Sequence, residues 1–111
     1  MASDKIMIKD KIDRFIAKVQ EHVTVDKVIL YGSWAKGNPT AISDIDLAVF
    51  SSDFGKHRLK ELQLLSRIAW EVDAAIEAVP YSVELLNTLE PTKFVYEVVK
   101  SGEIVFERAL M

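Results

Sequence analysis

The 111-residue sequence has no cysteine, which excludes disulfides, zinc–thiolate centres and thiol catalysis and fits a reducing compartment. Its two histidines, His22 and His57, stand far apart and in no metal-ligand spacing. Neither sign of charge dominates: 14 basic against 17 acidic residues give a formal net charge of −3. There is therefore no broad electrostatic pull toward nucleic acid or an anionic membrane. No apolar run is long enough to cross a bilayer, and the first residues lack the apolar core of a signal peptide. A soluble, cytoplasmic protein with no membrane contact is expected. With only four glycines and three prolines, nothing reads as a flexible linker, and neither repeats nor low-complexity segments occur. The length suits one domain, residues 1–111.

What is present is apolar and well ordered. Half the residues are hydrophobic, enough for a real core in a small domain. The organising stretch is VILYGSWAKGNPTAISDIDLAVF, Val28 to Phe50. Val28 to Tyr31 form a β-prone run that stops at Gly32, as a buried strand should. Ile45, Leu47 and Val49 alternate with Asp44, Asp46 and Ala48. With a side-chain period of two, the apolar trio faces a core and the two aspartates project together from the other face.

Two adjacent carboxylates repel unless a cation answers them. Mg²⁺ favours one or two protein carboxylates completed by substrate phosphate oxygens and water. The Gly-Ser turn offers the complementary half. Gly32 allows close backbone approach to a ligand, and backbone N–H groups with the Ser33 hydroxyl can hold phosphate oxygens. A short helix beginning at Trp34 would aim its N-terminus at the same place. A phosphate cradle beside a carboxylate pair suggests phosphoryl or nucleotidyl transfer.

These residues carry a resemblance. Gly32-Ser33-Trp34-Ala35-Lys36-Gly37 followed by Ser43-Asp44-Ile45-Asp46-Leu47 resembles the GSxAxG…SDxDL pattern of the DNA polymerase β-like nucleotidyltransferase superfamily. The match is closest to its minimal nucleotidyltransferase (MNT) domains, and it covers most of the chain. The resemblance implies an α/β (α+β) fold like the polymerase β palm, a small mixed sheet with helices mainly on one face. It implies Gly32, Ser33 and Lys36 on the phosphates of a nucleoside triphosphate, with ATP as donor. It implies Asp44 and Asp46 as catalytic Mg²⁺ ligands in a two-metal site, with a third carboxylate on the neighbouring strand activating an acceptor hydroxyl. Glu77 is the favoured third carboxylate, because Glu77 and Val79-Pro80-Tyr81-Ser82 resemble an Ile-Glu-Pro-type strand of MNT-like proteins, although Ala78 stands where they have proline. Asp73, in Val72-Asp73, is the alternative. Trp34 departs from the arginine common at its position, so it packs under the turn or stacks on a base. MNT proteins often pair with a helical HEPN partner in toxin–antitoxin systems and can transfer AMP to it. The resemblance thus implies a partner-protein acceptor. Two other readings stay open: an antitoxin-like subunit that neutralises a helical partner by occlusion, and a small-substrate transferase completed by a partner or a homo-oligomer.

The remaining chain reads as supporting structure. An amphipathic helix is expected from Asp4 to about Val23, capped by Ser3 or Asp4. Another spans His57 to Val72, with Leu59, Leu62, Leu65, Ala69 and Val72 on its stripe and Trp70 read as core in preference to a partner surface. Asp53 reads as a turn or cap residue, and Ser43 as a turn residue or an orienter of the following carboxylate. Asp73 to Tyr81 is expected as a strand with Asp73 and Glu77 on one face. Ser82 caps a helical turn, Pro91 opens a last helix that Gly102 ends, and Glu103–Glu107 forms an edge strand.

Overall fold

The alternation of Val28–Tyr31 and Ile45–Val49 becomes the centre of a four-stranded sheet in a computed structural model that describes residues 2–37 and 44–108, the side chains of 2–6 and of Lys36 excepted. Helix α1 (Ala2–Gln20) leads into β1 (Lys27–Tyr31), the one-turn α2 (Ser33–Lys36), and β2 (Ile45–Ser51). Then follow α3 (Arg58–Val72), β3 (Ile76–Ser82), a 3₁₀ segment (Val83–Asn87), α4 (Phe94–Ser101) and β4 (Glu103–Glu107). The strand order is β3-β2-β1-β4. β1 runs antiparallel to both neighbours, whereas β2 and β3 are parallel. A parallel pair needs a long crossover, and α3 supplies it.

Strand periodicity sorts the side chains into two cores. Val28, Leu30, Ile45, Leu47, Val49 and Ile76 pack under α1 and α3, against Phe15, Val19, Leu65 and Ile68. Ile29, Ala48 and Phe50 face the other way and meet Val95 and Val98 of the short α4. The helices thus lie mainly on one face, with α4 over part of the other. Among the described residues no helix is long and apolar enough to cross a membrane.

Several local expectations are corrected. Trp70 is 74% exposed and Leu59 69%; they lie eleven residues apart, on one outer stripe of α3 with Gln63 and Ser66, and outside the core. Pro91 precedes α4, which begins at Phe94. Gly102 ends that helix at φ −81° without a left-handed turn. It is needed for space instead: a Cβ would meet Ile29 Cγ2, the Val98 carbonyl and the Leu30 carbonyl. Asp53 is a turn residue as expected, and its carboxylate accepts from Thr24 N at 2.8 Å, tying the turn after β2 to the segment before β1; Ser82 accepts from Glu84 N at 3.3 Å.

Two features at the flanks of β3 matter below. The Glu61 carboxylate, 8% exposed, accepts from the backbone N–H groups of Gly55, Lys56 and His57 at 3.0–3.3 Å. It thereby gathers the loop between β2 and α3 onto the start of the helix. Edge strand β3 contains Pro80, whose carbonyl accepts from Arg58 Nη1 at 2.9 Å, while the Arg58 guanidinium lies over the Tyr81 ring.

Candidate active site

The apolar run of β1 ends at Gly32, where φ 78° and ψ −154° fall in a region open essentially to glycine. Space forbids a side chain as well, since a Cβ would overlap Asp46 Oδ2. The turn backbone therefore lies directly against that carboxylate. Ser33 opens α2, and Gly37 closes it in the left-handed conformation at φ 81°. Gly32→Ala is expected to lower stability by about 1–3 kcal/mol and to displace Asp46. Thermal denaturation and nucleotide binding of the variant check both effects.

Register places one row of side chains across three strands. Tyr31 on β1 pairs with Asp46 on β2, and Asp46 pairs with Glu77 on β3. Asp44 is exposed just before β2. The entry of β2 is pinned beside it, because Ile45 N–H donates to the Ala75 carbonyl at 2.8 Å. Asp46 is half-buried, and burial, then Glu77, then Asp44 push its carboxyl above the usual carboxylate range. Tyr31 is pushed up to about 12 by burial, with Asp46, Tyr81 and Glu77 adding to the effect. The phenol stays protonated at neutral pH and remains a donor. Its ring meets Phe94 edge-on, with centroids 5.7 Å apart.

Asp73 lies elsewhere. It ends α3 rather than joining β3, its carboxylate pairs with Lys11 Nζ at 2.6 Å, and it accepts from Ala75 N at 2.8 Å. The Lys11 hydrogen bond, then that of Ala75, holds it below the usual range. The expectation that Asp73 and Glu77 share a strand face is therefore wrong: the chain leaves helical geometry at Asp73 and enters the sheet only at Ile76.

Among the described residues, no ion pair neutralises Asp44, Asp46 or Glu77. Among them, too, no three His, Asp or Glu side chains are gathered into a ready-made metal cage. A hard cation that takes one or two carboxylates, with phosphate oxygens and water completing its shell, fits this donor set. Such an ion would also offset the burial and the repulsion by Glu77 and Asp44 that raise Asp46.

A family model described as "Polymerase beta, Nucleotidyltransferase" matches residues 11–110. The chain belongs to that family. This nucleotidyltransferase domain is 31% identical over 70 residues to "Putative protein adenylyltransferase MJ1305" of Methanocaldococcus jannaschii, a match covering 61% of this chain and 48% of that protein. The chain thus spans about half the length of that relative. Among solved structures it resembles a chain of a toxin–antitoxin crystal structure with AMP-PNP, at TM-score 0.58 and 21% identity. It also resembles a chain of a mutant toxin–antitoxin MntA-HpeT, at TM-score 0.54 and 21% identity. Both matches cover 90% of this chain and 73% of the other, and at that identity they establish the fold.

Trp34 is half-buried against the α1/α3 core, and its buried indole N–H has no partner among the described residues. The Lys36 side chain, expected at the phosphates, and Ser43, expected as a turn residue or an orienter of Asp44, lie outside the described residues. Sequence reasoning missed Tyr31 and Phe94. The period of β1 does place Tyr31 opposite Leu30, but only cross-strand register brings it to Asp46. A cleft of about 350 Å³ lined by His22, Thr24, Asp53 and Arg108 sits at the far end of the sheet, away from this row.

Proposed function

We propose that the chain, acting as one domain over residues 1–111, is a Mg²⁺-dependent nucleotidyltransferase that moves AMP from ATP to a hydroxyl, on a HEPN-type helical partner protein. The single observation that carries the reading is the Asp46–Glu77 register pair beside the Gly32 turn. In this reading the Gly32–Ser33 turn and Lys36 bind the β- and γ-phosphates, and Asp44 and Asp46 hold Mg²⁺, with Glu77 at a second metal position. When bound, the metal neutralises charge on the phosphates and on the departing pyrophosphate. Glu77 takes the proton of the acceptor hydroxyl, whose oxygen bonds to the α-phosphorus as the bond to pyrophosphate breaks. The pairing of Asp73 with Lys11 supports Glu77 over Asp73 for this role.

The adenylyltransferase named among the relatives supports AMP as the group transferred. The toxin–antitoxin neighbours support a protein partner, and the outer α3 stripe of Leu59 and Trp70 offers apolar surface for one. The lack of cysteine supports a cytoplasmic setting.

The test uses ATP labelled at the α-phosphate, Mg²⁺ and a lysate of the source organism, with three forms of the protein. Wild type is expected to label a discrete protein band. Glu77→Gln should reduce labelling by at least about 100-fold with little change in Tm. Asp73→Asn should lower stability by about 1 kcal/mol and leave labelling near wild type. If Asp73→Asn abolished labelling and Glu77→Gln did not, the third carboxylate would be Asp73. Absence of any labelling, with a partner still captured by all three forms, would favour occlusion over catalysis.

A further inference from the structure

The catalytic row has two flanks, and the two ends of the reaction need one each. On the β3 side stands Glu77, next to Asp46 in register. On the β1 side stands Tyr31, also next to Asp46, and beyond it Phe94 at the first turn of α4. Phe94 is 56% exposed, although α4 turns Val95 and Val98 into the core. Its ring is nevertheless held in place by the edge-on contact with Tyr31, at an interplanar angle of 83°.

We propose that Phe94, braced by Tyr31, is the stacking platform for the nucleobase of the bound nucleotide. This rests on the nucleotidyl-transfer reading above. With the triphosphate held at the Gly32 turn and the acceptor hydroxyl beside Glu77, the base must leave on the other flank. Among the described residues, Phe94 offers an exposed aromatic face there. A fixed, solvent-facing ring costs little to order on binding and accepts any base through its π-face. The ring-on-ring contact brings affinity without hydrogen-bond readout, so Phe94 by itself favours purines for their larger area and discriminates weakly between adenine and guanine.

The experiment is calorimetric binding of Mg²⁺–ATP and of Mg²⁺–tripolyphosphate to wild type, Phe94→Ala, Phe94→Leu and Phe94→Tyr. The ATP Kd should rise about tenfold in the Ala and Leu variants and return in the Tyr variant. Tripolyphosphate should bind all four alike. The Leu variant keeps apolar volume at the position, so a loss there reports the lost ring face. Equal ATP affinity in all four proteins would overturn the platform and leave the transfer reading standing. So would a loss shared equally by ATP and tripolyphosphate, or reduced labelling of a protein acceptor at unchanged ATP affinity. If wild type bound neither ligand, the transfer reading itself would fall.

Discussion

Asp46→Asn is expected to lower nucleotidyl transfer by about 1,000-fold or more and, in metal-free buffer, to raise Tm. The two effects have one cause. Burial and the neighbouring Glu77 and Asp44 raise the folded-state pKa of Asp46 above its ordinary value of 3.8. A carboxyl with a raised folded pKa is at no disadvantage below the unfolded value, where both states hold the proton. Stability is then lost as the pH climbs through the folded value, because the native site must carry a charge it does not favour. Asparagine has the same shape and no charge, so the gain in Tm over wild type should vanish near pH 3.5 and be fully developed by pH 7 (values bracketing the ordinary carboxylate range). Mg²⁺ with nucleotide should stabilise wild type and not the variant. Thermal unfolding across pH, with and without Mg²⁺–ATP, checks all three statements. A variant less stable than wild type at pH 7 without metal would mean that the carboxylate row is not repulsive.

Glu61→Ala is expected to damage the fold strongly. It would leave the N–H groups of Gly55, Lys56 and His57 without their acceptor and open a gap beneath the β2–α3 loop. About 3 kcal/mol is expected from the lost hydrogen bonds to a charged acceptor, and Tm should fall by more than about 10 °C. Burial alone would raise the Glu61 carboxyl, but the N–H groups of Gly55, His57 and Lys56, with His57 nearby, more than offset it and hold it below its ordinary 4.5. The sign is opposite to that of Asp46. This contribution is present above pH 4.5 and fades as the pH drops through the lowered value. Glu61→Gln, which keeps one acceptor oxygen, should lose less, and its pH dependence in the acid range should flatten. Chemical denaturation at pH 7 and pH 4 separates the two variants.

The contrast between these carboxylates marks what the sequence could reveal. Asp46 was legible because Ile45, Leu47 and Val49 fix its face by alternation alone, and Gly32 was legible because an apolar run halts there. Choosing between Asp73 and Glu77 needs two facts absent from local pattern: the residue at which β3 begins, and the arrival of Lys11 from α1. Glu61 falls outside the apolar stripe read for its helix, and the backward curl of the Gly55–His57 loop buries it. Trp70 reads as core on its size alone, yet it is exposed. The positions one and two turns before it, Ser66 and Gln63, are polar, which already argues for an outward face.

Pro80 has a consequence for assembly. β3 is an outer strand of the sheet, the kind of border to which a second polypeptide can zip by backbone pairing. At Pro80 that border has no N–H to give, and its carbonyl is already occupied by Arg58. A stranger's strand laid along β3 would lose its rungs in the middle. Pro80 and Arg58 make this border a poor template, so the chain is protected from fibril-like stacking on that side, and a second polypeptide arriving there would meet side chains rather than lengthen the sheet.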